Sequence, residues 1–294
     1  MIKDLAAPVQ EAYERVCNAV GADDPYLTES TLGIHDVLRA HFLLANHFYA
    51  LGFGIGGIGP KNIDLLHSAL YRQFTGFGSE RKWETKFEIA ATLMFGLIMD
   101  HPFYDANKRT AFLSTLYLLQ KRGRWPTISK EDFEKFTIEI AERGIEKRRR
   151  YQRLVKDGSL DPEIEFIAKY LKQNTRDIET REYFVTYREL ETLLGKRGFI
   201  FRNPYRNHIE ILKIEQKERG FLKKRMESVE VRMGTISYPG GSRELSKGDL
   251  RRIRKMLKLT DGDGVDSQSF YRGVDDLRVL IDIYDEPLRR LADK

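Results

Sequence analysis

The sequence predicts a multi-domain protein, an all-α domain followed by a small α+β domain with the element order α-β-β-β-α. Three observations predict it. The chain has 294 residues, more than one domain of ordinary size needs. Apolar residues recur at helical spacing through the first half. In the second half, short stretches of alternating polarity lie between two amphipathic segments.

In the first half, residues 34–51 form one long apolar-rich segment with no proline or glycine, and a glycine cluster ends it. Residues 61–71 follow Pro60 and place Ile63, Leu65, Leu66, Ala69 and Leu70 at helical spacing. Residues 84–99 carry Phe87, Ile89, Ala90, Leu93, Met94, Leu97 and Ile98. Such all-round apolarity predicts a central, buried helix. A further helix over 107–121 stops at Gly123, and Ser129 opens another with Glu131 and Asp132 in its first turn, where the helix dipole favours acids.

The texture changes at Glu146. Lys147-Arg148-Arg149-Arg150-Tyr151-Gln152-Arg153 is a basic run, read as a solvated helix end, and Pro162 opens a helix to about Gln173. Then come a helix over 187–198 with Gly198 as C-cap, strands at 199–201 and 208–214 with Asn203-Pro204 turning between them, a third strand at 229–233, and a basic amphipathic helix over 247–259. The expected boundaries are 1–150 for the helical domain, 151–180 for a basic linker and helix, 181–260 for the α+β domain, and 261–294 for a helical tail.

Composition narrows the function classes. The single cysteine, Cys17, excludes a disulfide framework within the chain and a multi-thiolate zinc site. The first residues lack a long apolar stretch, and no run approaches the length of a membrane span, so a cytoplasmic protein without membrane contact is expected. Net charge is +6. Residues 1–146 hold 16 Lys and Arg against 19 Asp and Glu, and the remainder holds 34 against 25. The basic excess in the second half suits either a solvated surface or an acidic or nucleic-acid partner.

The residues that carry chemistry are His101-Pro102-Phe103-Tyr104-Asp105-Ala106-Asn107-Lys108-Arg109. A loop here feeds a helix start, where backbone N–H groups and the dipole attract anions. Asn107 or Asp105 can cap that helix. Arg109 adds a forked cation suited to phosphate, and Lys108 adds a second charge. Asp105 can hold magnesium bound to phosphates. His101 can accept a proton near neutral pH. Phe103 anchors the loop to the core.

This pattern resembles the motif of the Fic/Doc family, His-x-Phe-x-(Asp/Glu)-(Gly/Ala)-Asn-(Gly/Lys)-Arg, and Asp105-Ala106-Asn107-Lys108-Arg109-Thr110-Ala111 is similar to the version in death-on-curing (Doc) toxins. Residues 60–70 are similar to the family's flap segment. The resemblance covers roughly the first half of the chain. It implies an all-helical Fic fold with His101 as the base that activates a target hydroxyl and Asp105 as the Mg2+ ligand. It makes Ala106, Asn107, Lys108 and Arg109 part of the site for ATP or another nucleoside triphosphate, and Phe103 a packing residue. Lys61, Asn62, Ile63, Asp64, Leu65 and Leu66 become a flap that aligns a target segment by backbone pairing.

Two departures from the commonest Fic pattern bear on the reaction. Lys108 stands where most Fic proteins have glycine, and Phe112 where they have a second arginine. In Doc toxins the same changes accompany transfer of the terminal phosphate. The resemblance therefore favours a Doc-like kinase acting on Ser, Thr or Tyr of a target protein, as a toxin of a toxin–antitoxin or stress-defence system. Transfer of the nucleotidyl group (AMPylation) is the alternative. No glutamate completes the family's inhibitory pattern Ser/Thr-x-x-x-Glu-(Gly/Asn), which points to a separate antitoxin protein.

In the second half, residues 187–199 and 241–253 resemble HicA-type domains, RNA-cleaving toxins with a fold like double-stranded-RNA-binding domains. Their histidine follows Gly-Ser, whereas His208 follows Arg206-Asn207. The expectation is a module that binds RNA or a protein, with His208 a candidate second site that otherwise only packs.

Three signals are set aside. Gly54-Ile55-Gly56-Gly57-Ile58-Gly59 fits a dinucleotide fingerprint but follows a helix pattern rather than a strand. His35, His41 and His47 recur every six residues and fall on different helix faces, which disfavours a metal site. Asp261-Gly262-Asp263-Gly264 is too short for a calcium loop.

Overall fold

The computed structural model describes residues 2, 5–52, 57–77, 80–177, 185–219, 225–260, 270–271 and 275–292. They form two compact units, residues 1–182 with 284–294, and residues 183–283. Residues 54–56 of the glycine cluster and the stretch 261–264 lie outside the described residues.

The first unit is helical. Its elements are α1 (Ala7–Val20), α2 (Ile34–Ala50), α3 (Ile63–Tyr71), a hairpin of β1 (Gly76–Phe77) and β2 (Glu80–Arg81), α4 (Lys86–Met99), α5 (Asn107–Lys121), β3 (Arg124–Pro126), α6 (Lys130–Ala141), α7 (Arg149–Lys156), α8 (Pro162–Gln173) and β4 (Thr175–Asp177). Helix α4 is the hub expected from its all-round apolarity, packing against α3, α5, α6 and α8. A capping box starts it. The Thr85 hydroxyl accepts the Glu88 N–H at 3.2 Å, and the Glu88 carboxylate accepts the Thr85 N–H at 2.9 Å. Gly96 lets α3 approach, because a Cβ there would sit 2.9 Å from the Ala69 carbonyl oxygen.

Two expectations change here. Residues 151–177 are not a linker: α8 buries Ile164, Ile167 and Leu171 against α4, and β4 pairs antiparallel with β3. The apolar stripe of α8 needs a partner, which holds this segment to the first unit. The tail also divides at Tyr284. Helix α12 (Asp285–Arg290) belongs to the first unit, where the Tyr284 ring meets Phe112 edge-on at 5.4 Å and Arg290 pairs with buried Glu134 at 2.6 Å.

The second unit contains α9 (Tyr187–Gly195), β5 (Phe199–Tyr205), β6 (His208–Arg219), β7 (Arg225–Ser237), α10 (Lys247–Met256) and α11 (Asp276–Ile283). The three strands form one antiparallel sheet in sequence order. Thus α-β-β-β-α is present, followed by α11. The β5–β6 turn is not Asn203-Pro204. It is Arg206-Asn207, with φ of 44° and 59°. Two consecutive left-handed residues make the tight turn whose twist matches a hairpin, whereas Pro204 continues β5. The core joins Leu190, Leu193 and Leu194 of α9 to Phe199, Phe201, Ile209, Ile211 and Ile236 of the sheet and Leu250 and Ile253 of α10. Among the described residues, no helix is long and apolar enough to cross a membrane.

Candidate active site

The loop between α4 and α5 is pinned from three sides. Below it, Phe103 is fully buried and its ring stacks on His41 of α2, with centroids 4.0 Å apart and planes 10° from parallel. Beside it runs the segment 57–62. Lys61 N–H donates to the Pro102 carbonyl at 2.9 Å, Tyr104 N–H donates to the Gly59 carbonyl at 3.3 Å, and Pro60 and Phe103 form an antiparallel bridge. From α5, the Asn107 side chain accepts the Phe103 N–H at 2.9 Å and donates to the Phe103 carbonyl at 3.0 Å. One amide thus engages both the N–H and the carbonyl of a buried residue.

That geometry revises two expected roles. The helix cap is neither Asp105 nor Asn107 but Ala106, in the left-handed conformation at φ 62° with no side-chain cap bond. The Asn107 side chain holds the loop through both backbone groups of Phe103. The flap expectation also changes. Residues 63–71 are helical and Leu66 is buried, so their carbonyls turn along α3 rather than outward from an extended strand, and Asn62 caps the helix by accepting the Asp64 N–H at 2.8 Å. Ile63, Asp64, Leu65 and Leu66 therefore offer no backbone edge to a target strand. Asn62 is extended, and the N–H groups of Lys61 and Asn62 hold Pro102.

His101 is exposed and has φ 46°, and Ala106 at φ 62° closes the same loop. A left-handed non-glycine residue costs about 1 kcal/mol. Two such residues bracketing the loop require the clamps just described. Partial burial and the ammonium groups of Lys61 and Lys108 push the imidazole below its usual 6.5, against an opposing pull from Asp100. Arg72 grips Asp100 through Nε at 3.1 Å and Nη2 at 2.8 Å, fixing the end of α4 just before the histidine.

At the start of α5 the first helical bond runs from Thr110 N–H to the Ala106 carbonyl at 2.8 Å. The N–H groups of Asn107, Lys108 and Arg109 thus lie at positive-end positions that helical bonding does not use. Arg109 is buried, lies over the Phe48 ring at 4.7 Å, and pairs with Asp105 at 3.2 Å. Asp105 keeps a partly exposed carboxylate. Among the described residues there is no cluster of three or more His, Cys, Asp or Glu that could cage a metal. A single carboxylate suits magnesium whose other ligands are waters and substrate phosphates. Lys108 is half-buried beside the same helix start. These donors fit a magnesium-bound triphosphate.

Sequence reasoning gave His41 no role. It is fully buried, its Nε2 accepts the Gly59 N–H at 3.0 Å, and its Nδ1–H reaches Thr110 Oγ1 at 3.1 Å. Burial and the Arg109 charge depress its pKa to about 3, opposed by Asp105, so the ring stays neutral. Position 112 lies in the core, with Phe133 at 5.1 Å and Tyr284 at 5.4 Å from the Phe112 ring. His208, the candidate in the second unit, is exposed at the start of β6, with Nδ1 2.9 Å from the Arg206 carbonyl.

Residues 31–119 match the family model of the Fic/DOC family. No curated protein and no solved structure matches the chain.

Proposed function

We propose that this chain, with a Fic/DOC-type domain at residues 31–119, transfers the terminal phosphoryl group of a nucleoside triphosphate to a hydroxyl side chain of a target protein. The observation that carries the choice of group is the burial of Phe112 among Phe133 and Tyr284. That position supplies a ring to the core and no cation to the site, while Lys108 adds one at the helix start. Both features accord with the Doc-like version of the motif. Nucleotidyl transfer is the alternative outcome.

In this reading His101, whose pKa is lowered by partial burial and by Lys61 and Lys108, takes the proton of the incoming hydroxyl. The N–H groups opening α5, with Lys108 and Arg109, orient the phosphates and balance their charge. Asp105 would hold Mg2+, which when bound neutralises phosphate charge. The toxin reading, with a separate antitoxin protein as restraint, rests on the Doc-like motif alone.

The experiment is incubation of the full chain with cell lysate and Mg-ATP labelled on either the α- or the γ-phosphate. A target labelled only from the γ position, and not by His101→Ala, is expected. Label from the α position alone replaces the reading by AMPylation.

A second reading concerns the second unit. Lys247, Arg251, Arg252, Lys255 and Lys258 are exposed along and just beyond α10, opposite buried Leu250 and Ile253. This basic face supports RNA binding. Retention of labelled RNA on filters at low salt, lost at high salt, is the expected result. RNA that is bound but left intact would leave His208 without a role in cleavage.

A further inference from the structure

The first unit has a groove, lined by the approach to α4 and by α8, that the proposed transfer does not use. Its volume is about 980 Å³, near the upper end of ligand-site volumes. Its apolar lining is Trp83, Phe87, Leu160 and Ala168. Leu160 is 90% exposed on the loop before α8, the most exposed large apolar side chain among the described residues.

The polar lining divides by whether its groups are held by neighbours. Asp161 pairs with Lys82, whose ammonium also lies 5.0 Å from the Trp83 ring. The Glu165 carboxylate accepts the Ser159 hydroxyl at 2.7 Å, and Glu88 is held in the cap of α4. Asp161 is thus ion-paired, and Glu165 and Glu88 are hydrogen-bonded by neutral donors. Lys169 and Lys172 are exposed and have no ion-pair partner among the described residues. Gln173, beside them, accepts a hydrogen bond from Arg150 of α7 at 2.8 Å. This contact brings the basic run of residues 147–153 to the rim of the groove. The wall is apolar and one rim carries unanswered cations.

We propose that this groove docks an acidic protein segment carrying bulky apolar side chains. The apolar side chains would seat against Trp83, Phe87 and Leu160, and the carboxylates would meet Lys169, Lys172 and Arg150. Nucleic acid fits less well, because a phosphate backbone carries no aliphatic side chains to seat against the apolar wall, whereas a peptide can set its carboxylates at the lysine rim and its apolar side chains on the wall. The assignment does not depend on the transfer reaction.

The test is fluorescence anisotropy with the full chain and a labelled peptide in which Asp and Glu flank a pair of leucines. Saturable binding is expected. Replacing the leucines by serine, or the acids by lysine, should abolish it. Leu160→Asp and the pair Lys169→Glu/Lys172→Glu change only exposed side chains and should each weaken binding about tenfold, equivalent to about 1.4 kcal/mol. His101→Ala should bind as the parent does, which keeps docking and catalysis separately measurable. Absent or non-saturating binding, binding that both groove variants leave unchanged, or capture of a labelled oligonucleotide in place of the peptide overturns the assignment.

Discussion

His41 and Phe103 lie face to face, 4.0 Å between ring centroids and 10° from parallel, although 61 residues lie between them in sequence. The imidazole touches the motif loop with its face and uses its edge atoms to hold Gly59 and Thr110. Replacement by phenylalanine keeps a ring and removes both edge bonds. His41→Phe should destabilise the first unit by about 1–3 kcal/mol, the usual cost of a buried donor left unmet. Because the loss falls on positioning, kcat should drop more than KM rises. An unchanged urea midpoint would count against this role.

The same histidine predicts a pH dependence of stability. Its folded pKa of about 3 lies below the unfolded 6.5. Between these values the unfolded chain binds a proton that the folded chain refuses. The stability it lends is therefore complete above pH 6.5 and is lost as pH falls towards 3, with an upper limit on the order of 5 kcal/mol. Urea titrations at pH 7 and pH 4 should show the gap between the parent and His41→Phe narrowing at the lower pH.

His101 should govern the acidic limb of the rate profile. Burial, Lys61 and Lys108 lower its pKa, so transfer should fall only below the ordinary histidine range. Lys61→Ala removes the largest charge effect on that ring and should move the limb upward. The Lys61 N–H, which holds Pro102, is retained. A limb that stays in place would show that the ammonium does not act on the imidazole.

Asn107 meets both a donor and an acceptor on Phe103. Asn107→Asp keeps the first bond and sets an oxygen against the carbonyl. It should abolish transfer and lower thermal stability, with a cost of about 1–3 kcal/mol. A variant that transfers at the parental rate would remove the clamp from the account.

Arg290→Ala leaves Glu134, 3% exposed, without its 2.6 Å partner. Breaking a buried pair costs about 3–5 kcal/mol. Since Arg290 is itself partly exposed, the lower end of that range is expected, read as a fall in Tm. The conservative Arg290→Lys should recover part of it.

These relationships divide by whether their cause is local. The apolar residues of α4, the start of α5 at Asn107 and the helical character of residues 63–71 were legible because periodicity and motif order are properties of a short stretch. His101, Asp105 and Arg109 were legible as a motif, and the structure brings the last two together. His41 was not, because its partners Gly59, Phe103 and Thr110 lie 18 to 69 positions away. A lone histidine in an apolar helix announces none of them. The capping role expected of Asn107 failed because an amide serves a helix start and a loop backbone equally well. The turn expected at Asn203-Pro204 yielded to Arg206-Asn207, since pairing of Tyr205 with His208 leaves only two residues to reverse the chain.

The re-entry of the chain at Tyr284 has a consequence for biosynthesis. Phe112, His47 and Glu134 meet Tyr284, Asp285 and Arg290, and a ribosome supplies those three only after the intervening hundred or so residues have been made. The nascent helical body must wait with its seam open while the insertion is translated. Assembly of the helical unit is thereby timed to follow synthesis of the segment it encloses in sequence.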